Sequence, residues 1–164
     1  QQPFSISDNL TQYEKPIDGH SYTIVVDVSR GKGLDYSAFQ VVDVTTMPYQ
    51  QVCTYRSNMT TPLDYSGIIY RTSKAYNQAT VLVEINDAGS QVADSLFYDY
   101  DCETLLYTEN AGARGKRISA GFGKGNGNGQ QETDEERNKV MLGWTTGKRL
   151  VYESKNGQEA LIRR

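Results

Sequence analysis

The chain has little of what secreted or zinc-dependent proteins rely on. Its 164 residues include two cysteines and one histidine. Cys53 and Cys102 are too few for a disulfide framework and stand in no metal-ligand spacing. With His20 as the single histidine, a zinc site built from several His and Cys ligands is excluded. No run approaches the ~18 apolar residues of a membrane helix, so no membrane partner is expected. The opening stretch QQPFSISDNL has neither a basic nor an apolar segment, and we expect no secretory signal. The glycosylation triplets beginning at Asn9 and Asn58 then carry no weight. The protein is expected not to be secreted.

What is present suits one folded domain. Hydrophobic residues make up 37% and charged residues 23%, and tyrosine alone occurs 12 times. A domain of this length buries about 70% of the surface its unfolded chain exposes. The net charge of -3 hides an asymmetry. Residues 1–110 hold six Lys/Arg against fourteen Asp/Glu, whereas residues 111–164 hold eleven against six. An acidic body with a basic remainder fits a protein that gathers cations in one place and phosphates in another, although uneven surface charge would look the same.

Residues 1–20 show no periodicity and read as a linker or arm, leaving 21–164 as the domain. Residues 22–28 (YTIVVDV), 38–44 (AFQVVDV) and 51–57 (QVCTYRS) read as three strands of an antiparallel meander. Thr61 offers an N-cap with Pro62 at the first helical position, opening a helix that Gly67 weakens. Residues 80–85 (TVLVEI) form a short apolar run expected to be a strand buried on both faces. Residues 89–98 (GSQVADSLFY) have helical spacing, and 104–108 (TLLYT) read as a fifth strand. The order β-β-β-α-β-α-β is an α/β arrangement, a mixed sheet flanked by helices. The crossover rule places the fourth strand beside the first. Further on, GKGNGNG at 123–129 excludes regular structure, Thr133 and Glu136 have capping-box spacing, and the last stretch suggests two strands around an Asn-Gly turn.

Two charged residues interrupt strands that should not contain them. Asp27 stands near the end of YTIVVDV and Glu84 near the end of TVLVEI. On parallel neighbours both carboxylates emerge at one sheet edge, where open α/β sheets place their ligands. Such a pair repels and loses solvation unless a cation sits between, and oxygen donors select Mg²⁺ or Mn²⁺. Asp35, in GKGLDYS, is placed to fold back toward the same ions. Asp43 also follows two valines but falls at the opposite end of an antiparallel strand, so it receives no role. Arg30 and Lys32 flank the glycine-rich turn as phosphate contacts or as solvated loop charges. Arg114, Lys116, Arg117 and Lys124, in AGARGKRISAGFGKG, are suited to tracking a DNA backbone; a plain loop is the other reading.

The stretches YTIVVDVSRGKGLDYSAFQVVDVT and VLVEINDAGSQVADSLFYDY resemble the nuclease domain of the large terminase subunit of tailed bacteriophages. The shared pattern is an acid closing the first strand, a G-x-G-x-D-Y turn, and a second acid in an E-x-N-x-x-G context. Here these are Asp27, Gly31, Gly33, Asp35, Tyr36, Glu84, Asn86 and Gly89, within residues 20–110. The resemblance implies an RNase H-like fold and a DNA endonuclease that cuts concatemeric double-stranded viral DNA during genome packaging. It implies two Mg²⁺ or Mn²⁺ ions held by Asp27, Glu84 and Asp35, and as partners a packaging ATPase domain and the portal of the phage motor, in the host cytoplasm.

The family's third acid, in a His-Asp-Asp-type segment before an apolar helix, has no counterpart in this sequence; Asp134, Glu135 or Glu136 match it in charge alone. GWTTGKR lacks a residue of a P-loop and the Ser/Thr after Lys148. Three other readings use the same acids. One is a Holliday-junction resolvase or transposase-type nuclease; another is an actin-like or sugar-kinase-like phosphate-binding lobe; the last is a non-catalytic docking module.

Overall fold

The structure, a computed structural model, describes residues 2–85, 88–110, 116–120, 140–142, 150–153 and 159–162. Its main sheet has six strands: β1 (Ser5–Ser7), β2 (Leu10–Gln12), β3 (Tyr22–Asp27), β4 (Ser37–Asp43), β5 (Gln50–Ser57) and β6 (Thr80–Val83). Their spatial order is β1-β2-β5-β4-β3-β6. Every pairing is antiparallel except β3 with β6, which are parallel. Helix α1 (Pro62–Ala75) makes the crossover from β5 to β6, and α2 (Gly89–Tyr98) follows β6.

The meander forms because β3 and β4 alternate buried and open positions along their length, and β5 does so apart from a bulge at Val52–Cys53, both buried, a strand pattern with one covered face. Ile24, Val26, Phe39, Val41, Val81 and Val83 supply that covered face. Tyr65 and Ile69 of α1 and Val92, Ala93 and Leu96 of α2 join the same core cluster. Each of these aliphatic side chains contributes roughly 1.5–3 kcal/mol by leaving water. Phe39, Tyr55 and Tyr65 stack on one another at centroid distances of 5.3–6.1 Å, joining sheet to helix. The opposite face is open: Val25 is 47% exposed. Residues 80–83 alternate in the same way, so the expectation of a strand buried on both faces is corrected. An unbroken apolar sequence does not distinguish the two cases, because Leu82 is apolar yet only half-buried.

Helix α1 starts where its chemistry dictates. The Thr61 hydroxyl accepts from the Asp64 amide at 3.3 Å, Thr61 Oγ1 donates to the Asp64 carboxylate at 2.7 Å, and Pro62 needs no donor at the first position. It stops at Asn77 and Gln78, whose φ of 54° and 56° leave the helical region. Gly67 is tolerated inside it because a side chain there would meet the Tyr100 hydroxyl at 2.8 Å.

Residues 5–12, read as arm, contain the hairpin β1–β2, and β2 pairs with β5. Asp8 and Asn9 have φ of 48° and 68°, as a two-residue type I′ turn requires; strands of three residues are too short to show a period. His20 is bonded through Nδ1 to the Asp43 carboxylate at 2.7 Å.

The expected fifth strand begins later, as β7 (Leu106–Asn110), with Leu105 bridging Val81 in parallel. β7 pairs antiparallel with β8 (Lys116–Ala120) and β9 (Val140–Leu142). A helix beginning near Thr133 therefore does not run through Val140. β10 (Leu150–Glu153) and β11 (Glu159–Ile162) form the expected terminal hairpin. The 123–129 segment, the Thr133 capping box, Asp134, Glu135 and Glu136 lie outside the described residues.

Candidate metal centre and nucleic-acid interface

The parallel pairing of β3 with β6 positions the candidate acids. Val26 is registered with Val83, and the Glu84 amide donates to the Val26 carbonyl at 2.9 Å. Asp27 and Glu84 therefore sit side by side at the C-terminal ends of neighbouring strands. By the strand alternation both side chains belong to the open face, and Asp27 is exposed and Glu84 half-buried. Together with Val25, Ala38, Gln40 and Leu82 they line a depression of about 260 Å³.

Asp27 also lines a second, adjoining cleft of about 620 Å³, shared with Arg30, Lys32, Asp35 and Tyr36. The loop between β3 and β4 thus brings Asp35 and both basic residues to the Asp27 end of the sheet. Among the described residues no group of three or more His, Cys, Asp or Glu is gathered closely enough to hold a metal. Arg114 and Lys124 lie outside the described residues, while Lys116 and Arg117 belong to β8.

The β3–β4 loop is held together by Ser29 and Ser37, which sequence reasoning passed over. The Ser37 hydroxyl accepts from the Ser29 amide at 2.9 Å, and the Ser29 hydroxyl donates to the Asp35 carbonyl at 2.9 Å. Gly31, at φ 65°, lies so close to α1's cap that a Cβ would stand 2.4 Å from the Thr60 carbonyl oxygen. Gly33, at φ 81°, donates its amide to the Asn58 carbonyl at 2.9 Å and receives the Asn58 side-chain amide on its own carbonyl at 3.2 Å. These left-handed positions explain the spacing of the G-x-G turn. Gly89 does the same for Glu84: a Cβ there would fall 1.9 Å from the Glu84 carbonyl oxygen. The spacing of the second motif could have been read as such a close approach.

Under Asp27, the Tyr65 hydroxyl reaches the Asp27 carbonyl oxygen at 3.4 Å. Burial pushes that hydroxyl well above the ordinary tyrosine range, and the nearby charges of Tyr55 and Asp27 push the same way. Tyr65 therefore stays a neutral donor. Asp43 lies at the other end, opposite Tyr22 in register. Partial burial opposes its charge, but hydrogen bonds with His20 and Thr45 prevail and bring it down to about 2.

The donor chemistry fits a hard divalent cation. Two adjacent carboxylates open to water leave room for the retained waters that Mg²⁺ demands, and they are the usual number of protein carboxylates it takes. A mixed six-stranded sheet with a carboxylate pair at the end of its parallel strands is the arrangement of an RNase H-like domain. Residues 24–126, well over half of the chain, match the Terminase RNaseH-like domain, and the chain belongs to that family. The large terminase nuclease of thermophilic phage G20c, solved with bound magnesium, is 25% identical with a TM-score of 0.53 over 60% of this chain and 50% of that one. The cobalt-bound form gives 25% identity and a TM-score of 0.52 over the same shares. The zinc-bound form gives 25% and 0.52 over 60% of this chain and 55% of that one. The chain thus spans about half the length of the solved structures it matches.

Proposed function

We propose that this chain is the nuclease part of a phage large terminase subunit, a metal-dependent endonuclease that cuts concatemeric double-stranded DNA during genome packaging. The observation that carries this reading is the placement of Asp27 and Glu84 side by side on the open face, at the ends of β3 and β6. Metal-bound neighbours at 25% identity support divalent-ion dependence. The packaging ATPase and the portal are the partners this role requires, in the host cytoplasm.

In this mechanism Asp27, anchored on an interior strand, and Glu84 beside it would hold the metal ions. Asp35 would support them from the adjoining cleft, directly or through water. Arg30 and Lys32 draw the phosphate backbone toward the carboxylates. When bound, the Mg²⁺ or Mn²⁺ pair supplies an activated water and neutralises charge on the phosphate and the leaving 3′ oxygen. The chain's own contribution is rigid placement, since strand ends hold ligands more tightly than loops do.

The test is a Mn²⁺ soak of crystals read by anomalous difference maps, paired with Mn²⁺ titration of Asp27→Asn and Glu84→Gln. A peak between the two carboxylates, with binding lost in both variants, is the expected result. Undiminished Mn²⁺ binding in both variants refutes the assignment.

A further inference from the structure

The strand registers place a fourth residue in line with the acids. Asp27 pairs with Ala38 across β3 and β4, and Ala38 pairs with Arg56 across β4 and β5. With Glu84 beside Asp27, the row Glu84, Asp27, Ala38, Arg56 crosses four strands on one face. The alternation confirms the face: Asp27 and Arg56 are exposed, while their neighbours Val26, Phe39 and Tyr55 are buried. Neighbouring strands lie ~4.8 Å apart, so Arg56 stands roughly 10 Å of backbone from Asp27. Between them Ala38 offers only a methyl group, leaving the surface open.

We propose that Arg56 binds a phosphate of the DNA strand whose neighbouring phosphate lies at Asp27 and Glu84; this rests on the nuclease reading above. The Arg56 guanidinium carbon lies 3.9 Å from the centroid of the Tyr36 ring. Stacking uses the flat face of the guanidinium and leaves its N–H edge to take two phosphate oxygens. Among the described residues no carboxylate lies within ion-pair distance of it. Tyr36 lines the cleft that Asp27 lines, so Arg56 is held against a residue of that cleft's wall. Tyr36 is the positioning residue and Arg56 the contact.

The experiment is fluorescence anisotropy of a labelled duplex with the 164-residue chain, in EDTA so that nothing is cut, over a range of salt. Arg56→Gln should weaken binding about fivefold or more and lower the slope of log K against log salt by about 1. Arg56→Lys should restore the slope but only part of the affinity, and Tyr36→Leu should lose affinity at an unchanged slope. Lys74→Gln removes the same charge from α1, on the covered side of the sheet, and should stay within about twofold of the parent. Wild-type affinity and slope in Arg56→Gln overturn the proposal, as does an equal loss in Lys74→Gln. Mn²⁺ titration separates the two readings. Arg56→Gln should bind Mn²⁺ normally, and failure of the nuclease reading would appear as undiminished Mn²⁺ binding in Asp27→Asn, whatever Arg56 does.

Discussion

Gly89→Ala is a substitution of one methyl group whose effect should appear at a residue five positions away. The added Cβ would sit 1.9 Å from the Glu84 carbonyl oxygen and 2.8 Å from its carbonyl carbon. To restore normal contact, the first turn of α2 and the end of β6 must separate by roughly 1 Å, in an interior packed too densely to absorb it locally. Overpacking of this kind costs about 1–3 kcal/mol, partly offset by the better helix propensity of alanine, worth up to ~1 kcal/mol. For a chain of this size the net loss of about 0–2 kcal/mol corresponds to a midpoint drop of up to roughly 8 °C. The diagnostic effect is on the site. Glu84 carries one of the two proposed metal carboxylates, so its displacement should weaken Mn²⁺ binding about tenfold, the equivalent of ~1.4 kcal/mol. Calorimetric Mn²⁺ titration alongside thermal unfolding reads both. Gly19→Ala is the control: its φ of 78° strains an alanine, but nothing lies within 4 Å of the new Cβ. It should lower the midpoint without changing Mn²⁺ affinity. A Gly89→Ala protein that loses stability yet binds Mn²⁺ like the parent would refute the coupling of this glycine to the site.

Other consequences follow from groups away from the carboxylates. Asp43 is held at about 2 against an ordinary 3.8. Its contribution to stability is therefore complete above pH 3.8 and fades as pH falls toward 2. Asp43→Asn should flatten the pH dependence of the urea midpoint in that window, and an unchanged slope would show that another group governs it. Burial pushes the Cys53 thiol up to about 11, so iodoacetamide at pH 8 should label it only at the rate of unfolding; rapid labelling in native buffer would contradict the burial. Phe39→Ala removes one member of the Phe39–Tyr55–Tyr65 stack and should cost about 3–5 kcal/mol in denaturant unfolding. Tyr65→Phe, nearly isosteric, tests the long bond to the Asp27 carbonyl and should lower stability by about 0.5–1 kcal/mol.

The parts that could be read in the sequence share a physical reason: their cause is local. Thr61 and Pro62 announce a helix start because capping involves residues within one turn. The strands at 22–27, 37–43 and 50–57 announce themselves through alternation long enough to count. The β1–β2 hairpin escapes notice because three-residue strands have no measurable period, and only the Asp8-Asn9 pair hints at a turn. The shift of the fifth strand to residues 106–110, and the strand at 140–142, are set by pairing between distant segments, which overrides any local preference.

The site divides along the same line. Asp27 and Glu84 are conspicuous because a carboxylate costs most where a strand is otherwise apolar. Gly31 and Gly89 are visible as glycines, but their purpose is not, since each is required by a backbone oxygen from another segment: the Thr60 carbonyl for one and the Glu84 carbonyl for the other. Arg56 is the extreme case. In QVCTYRS it is one polar residue in an alternating strand, and nothing around it in sequence singles it out. Only the two registers, Asp27 with Ala38 and Ala38 with Arg56, bring it into line with residues 29 and 28 positions away. A chemical row across a sheet is built from hydrogen-bond pairing, so its members appear in sequence as unrelated strand residues until the strand order is known.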